Sequence, residues 1–282
     1  MMRVALGVQY DGSEFRGWQA QRPETRTVQT GLERALARVA DQSIHVICAG
    51  RTDAGVHGVG QVVHFDTTAV RSARSWVLGG NAHLPPDLSL NWAQPVSDDF
   101  HARFSALTRR YRYLIYNHSY RSALWHRRAA WWRPPLDAER MQEAGQPLVG
   151  EHDFSAFRAA ECQARQPIRR LLELTVRRQS DSVILEVEAN AFLHHMVRNI
   201  AGVLLAIGAG EQPVGWARDV LKGGDRTQAG VTAPAEGLYL MAVRYPEHFG
   251  LPEAADSWES QNPIAFIQRE GAIPCTNPCN LA

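Results

Sequence analysis

Four glycines surround a single carboxylate in the segment CAGRTDAGVHGVGQVVHF, residues 48–65. Arg51, Asp53 and His57 lie between these glycines. In an extended stretch, side chains two residues apart project from the same face, so Arg51 should pair with Asp53. A guanidinium beside a carboxylate favours the ionised form and lowers its pKa by roughly 1–3 units. An ionised, positioned carboxylate is suited to act as a nucleophile or a general base.

The same loop has other interpretations. Asp and Gly both favour turns, and an Asp side chain often caps its own backbone. A phosphate-binding loop would need GxxxxGK[ST] before a helix or GxGxxG after a strand, and neither pattern occurs here. A glycosidase would need a second catalytic acid, which the sequence does not indicate. Glycines that extend beyond one turn instead favour the close approach of a ligand to the backbone.

The residues on both sides of the loop predict a scaffold that presents Asp53. Apolar residues alternate from Val4 to Tyr10 and from Ile44 to Cys48, and Val63 and Phe65 continue the alternation after the loop, so each stretch predicts a strand. Residues 28–39 have helical spacing, with Thr27 as the N-cap. Asp53 is therefore expected in a glycine-rich loop between two strands.

A second set of elements begins near residue 105. The patterns predict strands near 111–116, 174–176, 183–189 and 238–242, and helices over 137–148 and 193–207. Strand-to-strand links with interspersed helices indicate an α+β fold with a mainly antiparallel sheet. We expect two similar halves, residues 1–105 and 106–246, with a boundary near 104–108. The acidic, proline-containing tail, 247–282, is expected to be poorly ordered.

Composition excludes several classes of protein. The 282 residues carry a net charge of +1 and contain no run of about 18 apolar residues, so no transmembrane helix is expected. The N-terminus predicts a strand rather than a signal peptide, which favours a cytoplasmic location. Four scattered cysteines do not form a disulfide framework, and Cys275 and Cys279 lack the second pair that a zinc site would need.

The basic residues are unevenly distributed. Residues 103–178 hold 15 arginines against 7 acidic residues, a net charge of +8 within a nearly neutral chain. Such a block is typical either of a surface that binds a polyanion or of an ordinary solvated face. The block includes Arg109, Arg110, Arg112, Arg127, Arg128, Arg169 and Arg170, and three tryptophans, Trp125, Trp131 and Trp132. We expect at least two of these tryptophans to pack in the core.

Five segments together resemble the tRNA pseudouridine synthase A family. The stretch GRTDAGVHGVGQVVHF resembles the family signature. YDGSEFRGWQ, FHARFSALTRRYRYLIYN, NAFLHHMVRNIAG and EGLYLMAVRYP agree with the family in order and spacing. The resemblance covers about residues 3–246 and omits the tail.

The resemblance implies a reaction and a set of site residues. Asp53 would be the nucleophile that isomerises uridine to pseudouridine in the anticodon stem-loop of tRNA, at tRNA positions 38–40. Tyr111 would stack on the flipped uracil and take part in proton transfer at C5. Arg198 would join Asp53 from the second half, and Arg51 would hold Asp53 as the anion and help to displace the base. Whether Asp53 attacks C6 of the base or C1′ of the sugar is left open.

The resemblance also implies the fold and the partners. The sheets of the two halves would join into one mixed, mainly antiparallel sheet with helices packed on it and the active-site cleft between the halves. The protein would be a homodimer with one tRNA spanning both copies, and the reaction would need no cofactor. His194 and His195 would be adjacent helical residues about 100° apart, a poor chelate, so no metal is expected. Two alternatives stay open: a non-catalytic RNA-binding protein on the same scaffold, and an acid-dependent hydrolase of a small glycoside or nucleoside.

Overall fold

One mixed sheet runs through the whole computed structural model, which describes residues 1–22, 24–162 and 164–252. Within these ranges the strands are β1 (Met2–Tyr10), β2 (Ile47–Cys48), β3 (His57–Thr67), β4 (Leu88–Val96), β5 (Thr108–Asn117), β6 (Ala130–Trp132), β7 (Gly150–Asp153), β8 (Ile168–Gln179), β9 (Ser182–Ala189) and β10 (Leu238–Arg244). The helices are α1 (Val28–Ala40), α2 (Ala73–His83), α3 (Ala138–Gly145), α4 (Met196–Gly208) and α5 (Trp216–Gly223).

The last strand joins the two parts of the sheet. The strand order is β4-β1-β3-β10-β5-β9-β8-β7, with β2 added on β3 and β6 on β5. Neighbouring strands are antiparallel except at β10–β3 and β5–β6. The β10–β3 contact is short and pairs Tyr239 with His57 and Leu240 with Gly58. The expected α+β fold with one mixed, mainly antiparallel sheet is confirmed, and the strand that leaves the Asp53 loop lies at the junction.

The helices with clear amphipathic patterns form where the sequence predicts them. Thr27 caps α1 by accepting a hydrogen bond from the Thr30 N–H, and Asp137 caps α3 in the same way from Arg140. These caps satisfy backbone donors that have no partner within the helix. The α4 helix begins at Met196, three residues later than the predicted start.

Two large apolar clusters hold the helices to the sheet. One consists of buried residues between Val4 and Leu90 and includes Leu32, Leu36 and Trp76 from α1 and α2. The other spans Ala5 to Phe249 and includes Ile200 and Leu204 from α4. Burial of these side chains supplies most of the driving force that fixes the helices against the sheet.

Several elements were not predicted from the sequence. Helices α2 and α5 and strands β4, β6 and β7 lie in stretches without a clear period, and the predicted strand at residues 44–48 is limited to Ile47–Cys48. Within the predicted tail, residues 247–252 are packed: the Phe249 ring is buried and lies 5.1 Å from that of Phe100. The rest of the tail, 253–282, with Cys275 and Cys279, lies outside the described residues. Within the described part of the chain, the helices are too short or too polar to cross a bilayer.

Candidate active site

Asp53 lies in the loop between β2 and β3, where the chain turns sharply. The Val56 N–H donates to the Asp53 carbonyl oxygen at 3.1 Å, which closes the turn. Gly55 has φ +81°, a backbone conformation that L side chains rarely adopt. The Asp53 side chain is 26% exposed, so the loop presents a carboxylate that is accessible without being fully solvated.

Buried contacts fix the backbone on the N-terminal side of Asp53. The Tyr10 hydroxyl and Thr52 Oγ1 form a buried hydrogen bond of 2.8 Å. The Trp18 N–H donates to the Thr52 carbonyl at 2.9 Å, and Gln61 Nε2 donates to the Gly50 carbonyl at 2.7 Å. Because the residue next to Asp53 is held through both its side chain and its main chain, the position of the carboxylate is well defined.

Three cationic or imidazole groups meet the Asp53 carboxylate. Arg198 Nη1 donates to Oδ2 at 3.2 Å, and His195 Nε2 lies 3.1 Å from the same oxygen. His194 Nε2 lies 3.3 Å from Oδ1. Arg198 lies in the first turn of α4 and the two histidines immediately precede the helix, so the predicted meeting of Arg198 with Asp53 is present in the structure.

His194 and His195 do not have the geometry expected from the sequence. The prediction treated both as helical residues, but they precede the first residue of α4, and His195 has left-handed backbone angles with φ 61°. This turn lets both rings point at Asp53, with ring centroids 4.0 Å apart. Sequence reasoning missed them because a helical wheel does not apply to residues before the helix.

The same geometry bears on metal binding. The ligand atoms of Asp53, His194 and His195 lie within 4.8 Å of one another. However, Arg198 Nη1 already brings a positive charge to Asp53 Oδ2, which disfavours a second cation. The expected absence of a metal stays a prediction, although the reason first given for it is wrong.

Arg51 does not pair with Asp53. Its side chain is exposed, and within the described ranges it makes no ion pair with the carboxylate. The expected contact assumed an extended chain, whereas the loop turns at Asp53. Arg51 is therefore an exposed neighbour of Asp53 in the sequence and not its ion-pair partner.

Tyr111 lies in the buried wall of the site on β5. Its hydroxyl is next to Gly50, 3.6 Å from the position of a Cβ there, and its ring packs edge-on against Phe192 at 5.1 Å. Burial raises the pKa of Tyr111, and the negative charge of Asp53 contributes further in the same direction. The phenol is thus neutral at physiological pH.

His57 and two of the glycines have structural explanations. His57 is buried, accepts the Gly12 N–H at Nδ1 and contacts the Glu236 carbonyl through Nε2 at 3.2 Å. A Cβ at Gly60 would lie 2.2 Å from the Met241 carbonyl oxygen, and one at Gly58 would overlap the Tyr10 ring. These residues allow close packing of β3 against its neighbours. The two glycines therefore do not leave room for a ligand, as the sequence suggested they would.

Comparisons with known proteins identify the family of this chain. A family model described as tRNA pseudouridine synthase matches residues 7–105 and 144–246. The chain belongs to the tRNA pseudouridine synthase family. It is 56% identical to tRNA pseudouridine synthase A of Alcanivorax borkumensis over 90% of this chain and 95% of that protein. The enzyme of the same name from Nitrosococcus oceani is 57% identical over 89% and 96%, and that of Vibrio cholerae 55% over 89% and 95%.

A solved structure titled Crystal Structure of a Cbf5-Nop10-Gar1 Complex aligns with 71% of this chain and 54% of that chain. The TM-score is 0.31 and the identity 11%, values too low to support an inference. Family membership therefore rests on the sequence comparisons.

The basic block in this family member is partly neutralised by acids outside its own span. Arg110 pairs with Glu188 and Arg112 with Glu186, on the adjacent strand β9. Two further pairs, Arg127 with Glu14 and Arg128 with Asp11, reach the first part of the chain. The net charge of +8 over 103–178 thus overstates the positive field, because the acids that balance it lie outside that range.

Arg109 is also not available to a polyanion in the way predicted, and Arg169 is half-buried. Arg109 is 8% exposed and donates to the main-chain carbonyls of Ala106, Asn190, Ala49 and Arg103. Burial lowers the pKa of Arg109. Arg169 donates to the carbonyl of Gln166 at 2.9 Å. Arg170 is the exposed member of the predicted set for which no acidic partner is described.

The three tryptophans of the block are buried to different extents. Trp131 is 46% exposed, and Trp125 and Trp132 are half-buried. Trp125 stacks on Tyr116 with centroids 6.4 Å apart, and Trp132 packs against the larger apolar cluster. Trp125 and Trp132 thus both pack against buried apolar clusters, as expected for two of the three, and Trp131 is the exposed one.

Proposed function

We propose that the chain is a tRNA pseudouridine synthase that isomerises uridine to pseudouridine in the anticodon stem-loop, at tRNA positions 38–40. The observation that carries the proposal is the Asp53 carboxylate, fixed by a rigid loop and met by Arg198, His194 and His195. The relatives named tRNA pseudouridine synthase A, similar over nine-tenths of the chain, support the substrate and the reaction.

Asp53 acts as the nucleophile in this proposal. Arg198 stabilises the ionised carboxylate and keeps one of its oxygens in place, since charge-assisted hydrogen bonds are both stronger and more directional than neutral ones. The reaction breaks the N1–C1′ bond, turns the base and forms a C5–C1′ bond. No group is lost and nothing is oxidised, so the proposal includes no cofactor.

Tyr111 and Arg51 contact the substrate. The Tyr111 ring forms one wall of the site and stacks on the extruded uracil. Arg51, which is exposed, fills the space left by the displaced base or binds the phosphate of that nucleotide. Extrusion of a base costs a few kcal/mol, and an arginine that fills the gap offsets part of this cost.

The partners follow from the same family resemblance. We propose a homodimer in the cytoplasm, with one tRNA spanning both copies, and a substrate cleft between the halves 1–105 and 106–246. The family match falls in two segments, 7–105 and 144–246, which supports this division.

The test is tritium release from anticodon stem-loop tRNA labelled at uridine C5, with wild type and Asp53→Ala. Release by wild type alone, with a product of unchanged mass, supports both the reaction and the nucleophile. Release by both proteins would refute the role of Asp53. Binding without release would favour a non-catalytic RNA-binding protein, and free base or sugar among the products would favour a hydrolase.

A further inference from the structure

The two oxygens of the Asp53 carboxylate are held unequally. Oδ2 is contacted by both His195 Nε2 at 3.1 Å and Arg198 Nη1 at 3.2 Å. Oδ1 is contacted by His194 Nε2 at the longer distance of 3.3 Å. Because Oδ2 is fixed by two donors, Oδ1 is the oxygen that can form a bond with the least disturbance.

The isomerisation requires one proton to be delivered and one to be removed. N1 of the base carries no proton in uridine and gains one in pseudouridine, whereas C5 loses its proton when it bonds to C1′. Both atoms belong to one uracil ring, and the ring stays next to Asp53 throughout. A single side chain that gives up a proton and then recovers one is therefore sufficient, and imidazole is the side chain best suited to this near neutral pH.

We propose that His194 is a catalytic residue that carries this proton between N1 and C5. The inference rests on the proposed function. His194 contacts Oδ1, the oxygen free to react, so its ring borders whatever is bonded to Asp53. It precedes α4 and its side chain is 36% exposed, more than the 28% of His195, which leaves it room to follow the turning base.

The proton balance closes over one turnover. In the proposed cycle the exchanging proton starts on His194 Nε2. Asp53 Oδ1 bonds to C1′ as the N1–C1′ bond breaks; the electron pair of the broken bond goes to N1, which takes the proton from His194 Nε2. When C5 bonds to C1′, the bond between Asp53 and C1′ breaks with its electrons returning to the carboxylate, and the C5 proton moves to the same His194 nitrogen. Asp53 and His194 are thereby restored with no net uptake or release of protons.

Neither neighbour is as well placed for this task. Burial and the charge of Asp53 raise the pKa of Tyr111, so the phenol is a poor proton donor at neutral pH. Burial lowers the pKa of His195, which makes that ring a neutral donor to Oδ2. His195 is therefore a positioning residue, together with Arg198.

Charged and titratable groups surround the His194 ring, while its backbone is held by main-chain contacts. Asp53 and Arg198 are the charged groups near the ring, His195 is the adjacent titratable ring, and Glu161 acts on His195. The His194 main-chain N–H is 3.5 Å from Cys162 Sγ, and its carbonyl accepts from Ala159. These main-chain contacts hold the backbone while the ring is left free.

The experiment compares His194→Gln and His194→Ala with the matched variants His195→Gln and His195→Ala. Gln keeps a donor to Asp53 but cannot carry a proton, so His194→Gln should lose roughly 10²–10⁴-fold in single-turnover rate while its tRNA affinity is retained. Added imidazole should restore part of the rate of His194→Ala, and substituted imidazoles should do so in proportion to their basicity. A merely structural residue would not respond in this way.

The outcomes separate this inference from the proposed function. Near-wild-type turnover by His194→Gln, a parallel loss of tRNA affinity, or imidazole rescue confined to His195→Ala would each overturn the role of His194. Absence of pseudouridine in the wild-type reaction would instead refute the proposed function. If His194→Ala does not fold, the circular dichroism of His194→Gln and its turnover still decide the question.

Discussion

Arg198 Nη1 donates a hydrogen bond to Asp53 Oδ2 at 3.2 Å across a separation of 145 residues. The Nε of the same guanidinium donates to the Ala233 carbonyl at 2.8 Å, and the Ala233 N–H donates back to the Arg198 carbonyl at 3.1 Å. One side chain thus ties the Asp53 loop to α4 and to the segment that leads into β10. The rigid guanidinium fork holds both acceptors from fixed positions, which an ammonium on a flexible stem does not reproduce.

Substitution of Arg198 by Lys should therefore impair turnover although the charge is kept. We expect the turnover rate to fall roughly 10²-fold, as for the loss of one preorganised electrostatic contact, with little change in KM. The measurement is steady-state kinetics on anticodon stem-loop RNA. Arg218→Lys, at an exposed position on α5, is the control and should match wild type. A change confined to KM would show that Arg198 binds substrate without assisting the chemistry.

Removal of the Tyr111 hydroxyl should show whether this group contributes to the turnover rate, because its contribution to the free energy of unfolding should be small. In the described part of the chain this hydroxyl makes no hydrogen bond, so Tyr111→Phe should change the free energy of unfolding by less than about 0.5 kcal/mol. If the ring acts by stacking alone, the variant should retain most of the wild-type rate. A loss of several hundred-fold at unchanged stability would instead show that the hydroxyl takes part in proton transfer, and would count against His194 as the sole carrier.

Arg109 should prove to stabilise the folded state rather than to bind RNA. Arg109→Met leaves four carbonyl oxygens without their shared donor, so we expect a loss of roughly 3 kcal/mol in the free energy of unfolding. Arg170→Met, at an exposed position, should cost less than about 0.5 kcal/mol. Urea denaturation of both variants makes the comparison. Equal stability, with weaker tRNA binding by Arg109→Met, would restore Arg109 to the RNA-binding surface.

His64 should make the protein less stable in mild acid. Burial, followed by the charges of His101 and Arg3, lowers the pKa of His64 to about 4 from an ordinary value of 6.5. Because the unfolded chain binds this proton more tightly, stability is fully present above pH 6.5 and falls as the pH decreases toward 4. The loss is roughly 2 kcal/mol after allowance for solvent screening.

His64→Asn isolates this contribution. The Asn carbonyl oxygen can replace Nδ1 as the acceptor of the Ala102 N–H but does not titrate. Unfolding free energies measured between pH 7 and pH 4 should therefore decrease less steeply for the variant than for wild type. Parallel curves would assign the acid sensitivity to other groups, such as Asp66, whose pKa is lowered by its hydrogen bond from Arg3.

Local patterns predicted the elements whose buried faces follow a simple period. The cap at Thr27 and the stripe of α1 were both found. Helix α2 was missed because its buried residues are limited to Trp76 and Gly80, too few to form an apolar stripe. The mixed sheet was expected from the family resemblance, since the parallel contact of β10 with β3 joins residues far apart in the sequence.

The partners of Asp53 could not be predicted from local sequence spacing. The spacing rule paired Asp53 with Arg51, but the rule holds for an extended chain and the loop turns at Asp53. The actual partners come from a segment more than 140 residues away. A helix start placed at Met196 would have allowed both histidines to be recognised as site residues. Residues before a helix do not follow the helical period, so two adjacent side chains there can point the same way.

Arg51 should matter most where the target base is stacked. The side chain is exposed and has no ion pair with Asp53, so Arg51→Ala should leave the free energy of unfolding within about 0.5 kcal/mol of wild type. If Arg51 helps to displace the base, the variant should lose more rate on a paired uridine in the anticodon stem than on an unpaired uridine in the loop, because extrusion from a duplex is more costly. Single-turnover rates on two RNAs that differ in whether the target uridine is paired give the ratio. Arg16→Ala, an exposed arginine in the segment that crosses the Asp53 loop, controls for general loss of charge. An equal loss on both RNAs would assign Arg51 to phosphate binding and remove it from base extrusion.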